Sequence, residues 1–149
     1  MPEELREQVP LMKEVLAAMG VPILTMAGYE ADDILGTIAK RCQAEGEEVS
    51  VVSGDRDLLQ LADTHIKIRI PKTSRGTTEI HDYYPEDVKR EYQVTPTEFI
   101  DVKALMGDTS DNIPGVPGIG EKTAAKIIKE YHSIENAHEH IEEIKPARA

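Results

Sequence analysis

The chain has 149 residues, of which 40% are hydrophobic and 30% charged, with a formal net charge of −11. These values are typical of a globular protein with one domain, or one domain and a small appendage. We find no apolar run near the roughly 18 residues of a membrane span and no visible secretory signal, so we expect a cytoplasmic protein. Cys42 is the single cysteine, which excludes an internal disulfide and a cysteine-rich zinc site. The negative charge argues against nucleic-acid binding over the whole surface but allows a local basic strip.

The first half of the chain has the pattern of an α/β layer. Apolar spacing predicts a helix over residues 3–19, which Pro10 should kink or split and Gly20 should end. A short apolar, β-prone run predicts a buried strand over 22–26. The next helix is expected over 31–46, and a second strand over 48–54.

A short helix is predicted over 55–63, followed by a third strand over 65–71 that Pro71 should end, and by a short strand near 78–81. Strands that alternate with helices through short connections imply a parallel sheet flanked by helices. The chain from residue 84 onward is predicted to be helical. We therefore divide it into an α/β part, 1–83, and an all-α part, 84–149.

Four helices are expected in that second part. Pro85 and Pro96 should each open a helix, since proline is favoured at the first helical position. Gly107 should end the second of these helices. A third helix is predicted over 121–131, and Ser133 has the character of an N-cap for a fourth.

Acidic residues form three clusters, and two of the clusters directly follow predicted strands. In open parallel sheets, ligands bind beyond the carboxyl ends of the strands, and hard divalent ions such as Mg²⁺ prefer oxygen ligands. Together the clusters favour a two-metal site of the kind that hydrolyses phosphodiesters. The candidate ligands are Glu30, Asp32 and Asp33, then Asp55 and Asp57, and finally Asp108 and Asp111.

A plainer interpretation applies to each cluster alone, because Asp is a common helix N-cap. Asp32 or Asp33, and Asp55 or Asp57, could each cap the helix that follows. The doubled acids weaken that interpretation, since one cap needs one side chain.

A glycine-rich hairpin, IPGVPGIGEKTAAKI at 113–127, follows the third cluster and leads into a helix. Glycines allow a tight turn and close backbone approach to a ligand, and the amide groups that open a helix attract phosphate. This pattern favours sequence-independent contact with a DNA backbone. The alternative is an ordinary helix–helix connection in which Gly and Pro act only as breakers. The candidate DNA-binding residues are Gly115, Gly118, Gly120, Lys122, Thr123 and Lys126.

Three segments, GYEADD (28–33), SGDRDLLQL (53–61) and KALMGDTSDNIPGVPGIGEKTA (103–124), closely resemble the 5′–3′ exonuclease/flap endonuclease family, which includes the 5′-nuclease domain of bacterial DNA polymerase I. The resemblance covers nearly the whole chain. It implies a PIN-like or resolvase-like nuclease core, here incomplete, with a C-terminal helix–hairpin–helix. It also implies that the seven acids bind the catalytic Mg²⁺ or Mn²⁺ ions, two in the complete domain, and that the hairpin grips duplex DNA and holds K⁺.

Members of this family begin with strands that carry two more metal-binding acids and with a helical arch. The resemblance therefore implies that this chain is N-terminally truncated and corresponds to the part after the arch. Unpaired sheet edges would then invite self-association or pairing with a complementary fragment. The sequence favours a metal-dependent nuclease that cuts DNA at 5′ ends or flaps. A non-catalytic DNA-binding fragment and an acidic α/β interaction domain are the alternatives.

Overall fold

The structure is a computed structural model that describes residues 2–74 and 76–144. Its residues form two compact units, Met1–Leu35 and Gly36–Ala149. No helix in the described ranges is both long and apolar enough to cross a membrane.

The first unit opens with helix α1, Glu3–Ala18. Pro10 lies inside this single helix, so the predicted split is wrong, and none of the side chains of α1 is buried. Gly20, with φ of +73°, follows the C-cap residue Met19 and occupies the left-handed conformation that commonly ends a helix. The predicted end of the helix is therefore confirmed.

The strand predicted over 22–26 is wrong, because residues 21–26 have no regular secondary structure. Ile23, Leu24 and Met26 are 39%, 60% and 59% exposed. A strand exists only when a neighbouring strand supplies hydrogen-bond partners, and none of the strands in the described ranges pairs with this segment. The apolar composition gave the correct β propensity but could not show whether a partner strand is present.

The helix predicted over 31–46 is α2, Ala31–Ala44, in which the unit boundary falls. The chain then forms strand β1, Val49–Val52, a 3-10 helix, Arg56–Leu61, strand β2, Ile66–Ser74, and strand β3, Thr77–Tyr83. These elements agree with the predicted strands and short helix.

The three strands form one sheet in the order β1-β2-β3. Strand β1 runs parallel to β2, as predicted, with Val51 opposite Ile68. Strand β3 runs antiparallel to β2, with Ile70 opposite His81, so the sheet is mixed. A hairpin between β2 and β3 needs only a tight turn, whereas a parallel partner would need a long crossover.

Pro71 does not end β2, which continues to Ser74 and pairs with β3 throughout. Strand β1 pairs with β2 only as far as Arg69, so Pro71 has a neighbouring strand on one side alone. Proline lacks the amide hydrogen and is tolerated where a strand is an edge. The position of Pro71 beyond β1 therefore explains why the prediction of a strand end was wrong.

From residue 84 to residue 144, the structure contains four helices, α3 to α6, as predicted, and two very short strands. The helices are α3, Pro85–Tyr92, α4, Glu98–Met106, α5, Glu121–Tyr131, and α6, Ile134–Glu139. Strands β4, Gly107–Asp108, and β5, Ile113–Pro114, lie between α4 and α5, and a 3-10 turn, Ile141–Glu143, follows α6. Helix α4 begins after Thr97 rather than at Pro96, and Ser133 caps α6 by accepting the amide of Asn136.

One core cluster joins the sheet of the second unit to its helices. Alternate residues of β2 (Ile66, Ile68 and Ile70) are buried, together with Leu59 from the 3-10 helix and Ile128 from α5. Burying a side chain of this size contributes about 1.5–3 kcal/mol relative to exposure. This packing fixes the 3-10 helix beside α4, and both elements carry residues of the site described next. The domain boundary predicted between residues 83 and 84 stays a prediction.

Candidate metal site and nucleic-acid interface

Three of the predicted acids meet in the second unit. One carboxylate oxygen from each of Asp57, Asp108 and Asp111 lies within 4.8 Å of the other two. Asp57 comes from the first turn of the 3-10 helix that follows β1, and Asp108 ends β4. The cluster therefore lies where the sequence predicts a ligand site, beyond the carboxyl end of a strand.

An Asx-type turn places Asp111 beside Asp108. The Oδ1 atom of Asp108 accepts the backbone amide of Ser110 at 2.7 Å and that of Asp111 at 3.4 Å. Asn112 follows in the left-handed conformation, with φ of 57°, which asparagine tolerates better than most residues. The GDTSDN segment thus folds back on itself and holds both carboxylates on one short turn.

Lys103 bridges two of the three acids. Its Nζ atom lies 2.6 Å from Oδ2 of Asp108 and 2.8 Å from Oδ1 of Asp57. The hydrogen bond from Lys103 and the amide of Ser110 lower the pKa of Asp108 to about 2. Burial favours a lower pKa for Lys103, but its bonds to Asp108 and Asp57 outweigh burial, so its pKa is raised. Both groups are therefore charged at neutral pH.

Lys103 is not among the site residues predicted from the sequence. The only local signal was a lysine in the last turn of α4, five residues before Asp108. Its contact with Asp57 joins distant parts of the chain, and no spacing rule predicts such a contact.

The cluster has suitable chemistry for a divalent cation. Three carboxylates carry three negative charges, and Lys103 supplies one positive charge, which leaves a net negative site. Magnesium and manganese prefer oxygen ligands and bind to few protein carboxylates while keeping several waters. Asp57, Asp108 and Asp111 could therefore hold a metal ion.

Asp55 has a different observed role. Its Oδ1 atom accepts the backbone amide of Asp57 at 2.8 Å, which makes Asp55 the N-cap of the 3-10 helix. Within the described residues, its carboxylate is not part of the group of acids that could share one ion. The capping interpretation therefore describes Asp55, and its predicted role as a metal ligand stays a prediction.

The acids of the GYEADD segment lie in the first unit, at the start of α2. The Oδ2 atom of Asp33 accepts the amide of Glu30 at 3.0 Å, and the Oδ1 atom of Asp32 accepts the amide of Asp33 at 3.1 Å. These bonds satisfy amides at the helix N-terminus, where negative charge is also favoured. The observed contacts are those of helix caps, and the predicted metal role of these three acids stays a prediction.

The glycine-rich segment forms a tight turn followed directly by a helix. The amide of Ile119 donates to the carbonyl of Val116 at 3.0 Å. Pro117 and Gly118, which has φ of +82°, occupy the central positions of this turn, as in a type II turn. Gly120 is the N-cap of α5 and has no side chain to cap its first-turn amides. Such a helix N-terminus is well suited to binding an anion.

Gly115 packs against backbone atoms of this chain so closely that no side chain fits there. A Cβ atom added there would lie 2.3 Å from the carbonyl carbon and oxygen of Met106 and 2.5 Å from the amide nitrogen of Gly107. Gly115 therefore lies against the end of α4, and its predicted approach to a ligand stays a prediction. Gly118 and Gly120 have open space on the side where a Cβ would lie.

Helix α5 has one buried face and one basic, exposed face. Ala124, Ala125 and Ile128 are buried, whereas Lys122 and Lys126 are exposed. Thr123 is partly buried, and Lys129 donates to Oε1 of Gln93 at 3.1 Å. The two exposed lysines therefore follow the glycine turn on the solvent side of the helix.

A small ladder joins the acids to the hairpin. Gly107 pairs with Pro114 and Asp108 pairs with Ile113, and the amide of Val116 donates to the carbonyl of Leu105 at 2.8 Å. The position of Asp108 and the start of the glycine turn are therefore fixed by the same few hydrogen bonds.

Comparison with known proteins defines the class. The chain belongs to the 5′–3′ exonuclease family: the N-terminal resolvase-like domain of that family matches residues 1–93, and its C-terminal SAM-fold domain matches residues 94–149. This assignment confirms the resemblance noted in the sequence.

The curated relatives are bacterial DNA polymerases. The chain is 53% identical over 144 residues to DNA polymerase I of Bacillus caldotenax and 43% identical over 144 residues to that of Mycobacterium leprae. Each match covers 97% of this chain but only 16% of the relative. The chain therefore spans about one sixth of the length of these relatives.

Solved structures confirm the predicted fold class. A zinc-bound T5 5′-exonuclease matches with a TM-score of 0.74 and 28% identity, over 100% of this chain and 55% of that one. The T5 D15 flap endonuclease, in a pseudo-enzyme–product complex with DNA and metal ions, gives 0.73 and 27%, over 100% and 54%. The catalytic core of Rad2 with DNA substrate gives 0.59 and 18%, over 99% and 45%, which shows a common fold alone.

Proposed function

We propose that this chain is the metal-binding and DNA-binding part of a 5′–3′ exonuclease/flap endonuclease. Its reaction is the hydrolysis of DNA phosphodiesters at 5′ ends or flaps, as the 5′-nuclease part of a DNA polymerase I. The observation that carries the proposal is the junction of the Asp57, Asp108 and Asp111 cluster with the glycine hairpin through the β4–β5 ladder. A site for a cation and a site for a phosphate backbone then belong to one small substructure.

Asp57, Asp108 and Asp111 would hold a divalent ion, Mg²⁺ by preference and Mn²⁺ as its substitute. When bound, such an ion lowers the pKa of a coordinated water and stabilises the developing charge on the scissile phosphate. Asp55, together with Glu30, Asp32 and Asp33, would contribute to a second ion. The support for that second site is the family assignment and the sequence pattern.

The hairpin would hold the DNA by its backbone. Gly118 and Gly120 leave room for a phosphate beside the N-terminus of α5, and Lys122 and Lys126 add positive charge on its exposed face. The Thr123 hydroxyl would add a hydrogen bond to the phosphate, and Gly115 would hold the turn against the end of α4. The carbonyl groups of the hairpin would also bind K⁺. These contacts read no base sequence, so binding should depend strongly on salt.

A second candidate function is DNA binding without catalysis. The observation that favours it is that the acids gathered in the second unit, Asp57, Asp108 and Asp111, form one group that could share one ion. Both candidates imply a location where DNA is accessible, and the cytoplasm stays the predicted compartment. Self-association through an unpaired sheet edge also stays a prediction.

The test is cleavage of a duplex with a 5′ flap in the presence of Mg²⁺ or Mn²⁺. We expect cleavage by the wild-type chain and a loss of at least roughly a hundredfold in Asp108→Asn, because a lost ligand removes several kcal/mol of transition-state stabilisation. Asp63→Asn is the matched control, since Asp63 is a carboxylate outside the cluster, bonded to Thr64. Circular dichroism would verify that each variant is folded.

Three results separate the alternatives. Metal-dependent cleavage that Asp108→Asn abolishes and Asp63→Asn preserves supports the nuclease. Salt-dependent binding to the flap duplex without cleavage supports the non-catalytic candidate. Absence of any salt-dependent DNA binding contradicts both.

A further inference from the structure

Lys103 and a metal ion would compete for the same carboxylates. Its side chain is 22% exposed, and its two partners, Asp57 and Asp108, are 34% and 20% exposed. The ammonium therefore sits in a partly dehydrated setting, in which charge interactions are stronger than on the open surface. It contacts two of the three carboxylates that lie close enough together to share an ion.

The Lys103 bridge offsets charge repulsion within the cluster of acids. Three carboxylates within 4.8 Å repel one another when nothing neutralises them. Lys103 offsets one of the three charges and, with 2.6 and 2.8 Å contacts, holds Asp57 and Asp108 at a common point. A divalent cation bound by this cluster would therefore lie close to an ammonium group that already contacts two of its three carboxylates.

We propose that Lys103 is an internal counter-cation that sets the metal affinity of this site. In this role a divalent ion displaces the Lys103 ammonium from at least one carboxylate, so the charge of Lys103 weakens metal binding while its two contacts hold Asp57 and Asp108 together. The inference rests on the proposed metal site and assigns a positioning role to a residue outside the predicted ligand set. Metal binding then exchanges the Lys103 ammonium for a divalent ion at the carboxylates.

A purely structural salt bridge would behave differently. Removal of such a bridge would loosen the turn that carries Asp108 and Asp111, and metal binding would become weaker. Removal of a competing cation makes binding tighter. The sign of the change in metal affinity therefore distinguishes the two roles.

The experiment is a titration of the full chain with Mn²⁺ alone, without DNA, at constant pH and ionic strength. Free Mn²⁺ would be quantified by electron paramagnetic resonance. Lys103→Met removes the charge and keeps most of the apolar stem, whereas Lys103→Arg keeps the charge. Lys40→Met is the matched control, since Lys40 is exposed and its Nζ atom donates to Oε1 of Gln43. Thermal unfolding with and without Mn²⁺ gives a second readout.

We expect Lys103→Met to bind Mn²⁺ roughly tenfold more tightly than the wild type, because a like charge a few ångströms from the ion is removed. Lys103→Arg and Lys40→Met should bind within about threefold of the wild type. Without metal, Lys103→Met should unfold at a lower temperature than the wild type, and saturating Mn²⁺ should restore more stability to it than to the wild type.

Equal or weaker Mn²⁺ binding by Lys103→Met than by the wild type would overturn the inference, as would binding by neither protein. If Lys103→Met is unstable, tighter binding by Lys103→Arg than by the wild type would also overturn it, since Arg keeps the charge. These results are independent of the nuclease test. Wild-type cleavage with unchanged Mn²⁺ affinity in Lys103→Met rejects only the role of Lys103, and tighter Mn²⁺ binding without DNA cleavage rejects only the nuclease.

Discussion

The backbone at Gly107 and the backbone at Gly115 lie so close together that neither position has room for a Cβ atom. A Cβ atom added to Gly107 would lie 2.2 Å from the amide nitrogen of Gly115, and one added to Gly115 would lie 2.3 Å from the carbonyl oxygen of Met106. Both glycines pack against backbone, which cannot rotate away as a flexible side chain can. This crossing holds the end of α4 against the start of the hairpin.

Gly115→Ala should therefore lower the free energy of unfolding by about 1–3 kcal/mol, the usual cost of overpacking. Denaturant unfolding monitored by circular dichroism measures the change. Gly54→Ala is the control, because an added Cβ at Gly54 has no heavy atom within 4 Å. Equal stability of Gly115→Ala and Gly54→Ala would show that the backbone crossing is not needed.

The basic face of α5 gives a prediction about salt. Replacing both Lys122 and Lys126 by Ala should weaken DNA binding and make the slope of log K against log salt shallower by about 0.9 for each lost phosphate contact. Fluorescence anisotropy of a labelled duplex at several salt concentrations measures the slope. A double variant of Lys40 and Lys89, two exposed lysines on other helices, has the same net charge and should keep the wild-type slope. Identical slopes for both double variants would contradict the assignment of the hairpin.

The pH dependence of stability should include a contribution from Asp87. Its Oδ2 atom accepts the backbone amide of Tyr84 at 2.9 Å, and Arg90 contacts its Oδ1 atom. The hydrogen bond from the Tyr84 amide is the main cause of a lowered pKa for Asp87. Burial opposes this shift, and Arg90 lowers the pKa further. Because the folded-state pKa is depressed, this stability is present above the unfolded-state pKa of 3.8 and is lost as the pH falls through the folded-state value.

Asp87→Asn should accordingly cost about 0.5–1.5 kcal/mol at pH 7, where the carboxylate is charged, and progressively less below about pH 4. Urea unfolding at pH 7 and at pH 3 measures the difference. Glu86→Gln removes the same charge one residue away and is the control for the change in net charge. A constant gap between Asp87→Asn and the wild type across this range would exclude the proposed protonation effect.

The outer edge of β1 gives a prediction about assembly. In the part of the chain that the structure describes, β1 pairs only with β2, and Val52 is 61% exposed at its end. An unpaired edge can template another strand, and lysine on an edge discourages it. We expect concentration-dependent self-association in sedimentation velocity, reduced in Val52→Lys. Ile141→Lys, at a position that is 58% exposed in the helical part, should associate as the wild type does.

The sequence predicted most elements because their signals are local. Pro85 at a helix start, Gly107 after α4 and Ser133 before α6 each act within one turn, and all three have their predicted roles. The alternation in β2 likewise reports burial of every second residue. Errors arose where a partner elsewhere in the chain decides the outcome, as with the unpaired segment 21–26 and with Pro71 beyond the reach of β1.

In the candidate site, too, local features could be predicted from the sequence and long-range contacts could not. Asp57, Asp108 and Asp111 follow elements whose ends the sequence locates, so their convergence was expected. Asp55 could be a cap or a ligand on sequence grounds, and its bond to the amide of Asp57 is visible only in three dimensions. Lys103 could not be predicted, because its contact with Asp57 depends on packing of the 3-10 helix against α4.

The ladder of β4 and β5 has a further consequence if the proposed function holds. Asp108 and the glycine turn are separated by rigid pairing, not by a flexible linker, so the number of nucleotides between the gripped phosphate and the cut phosphate becomes a fixed property of the protein.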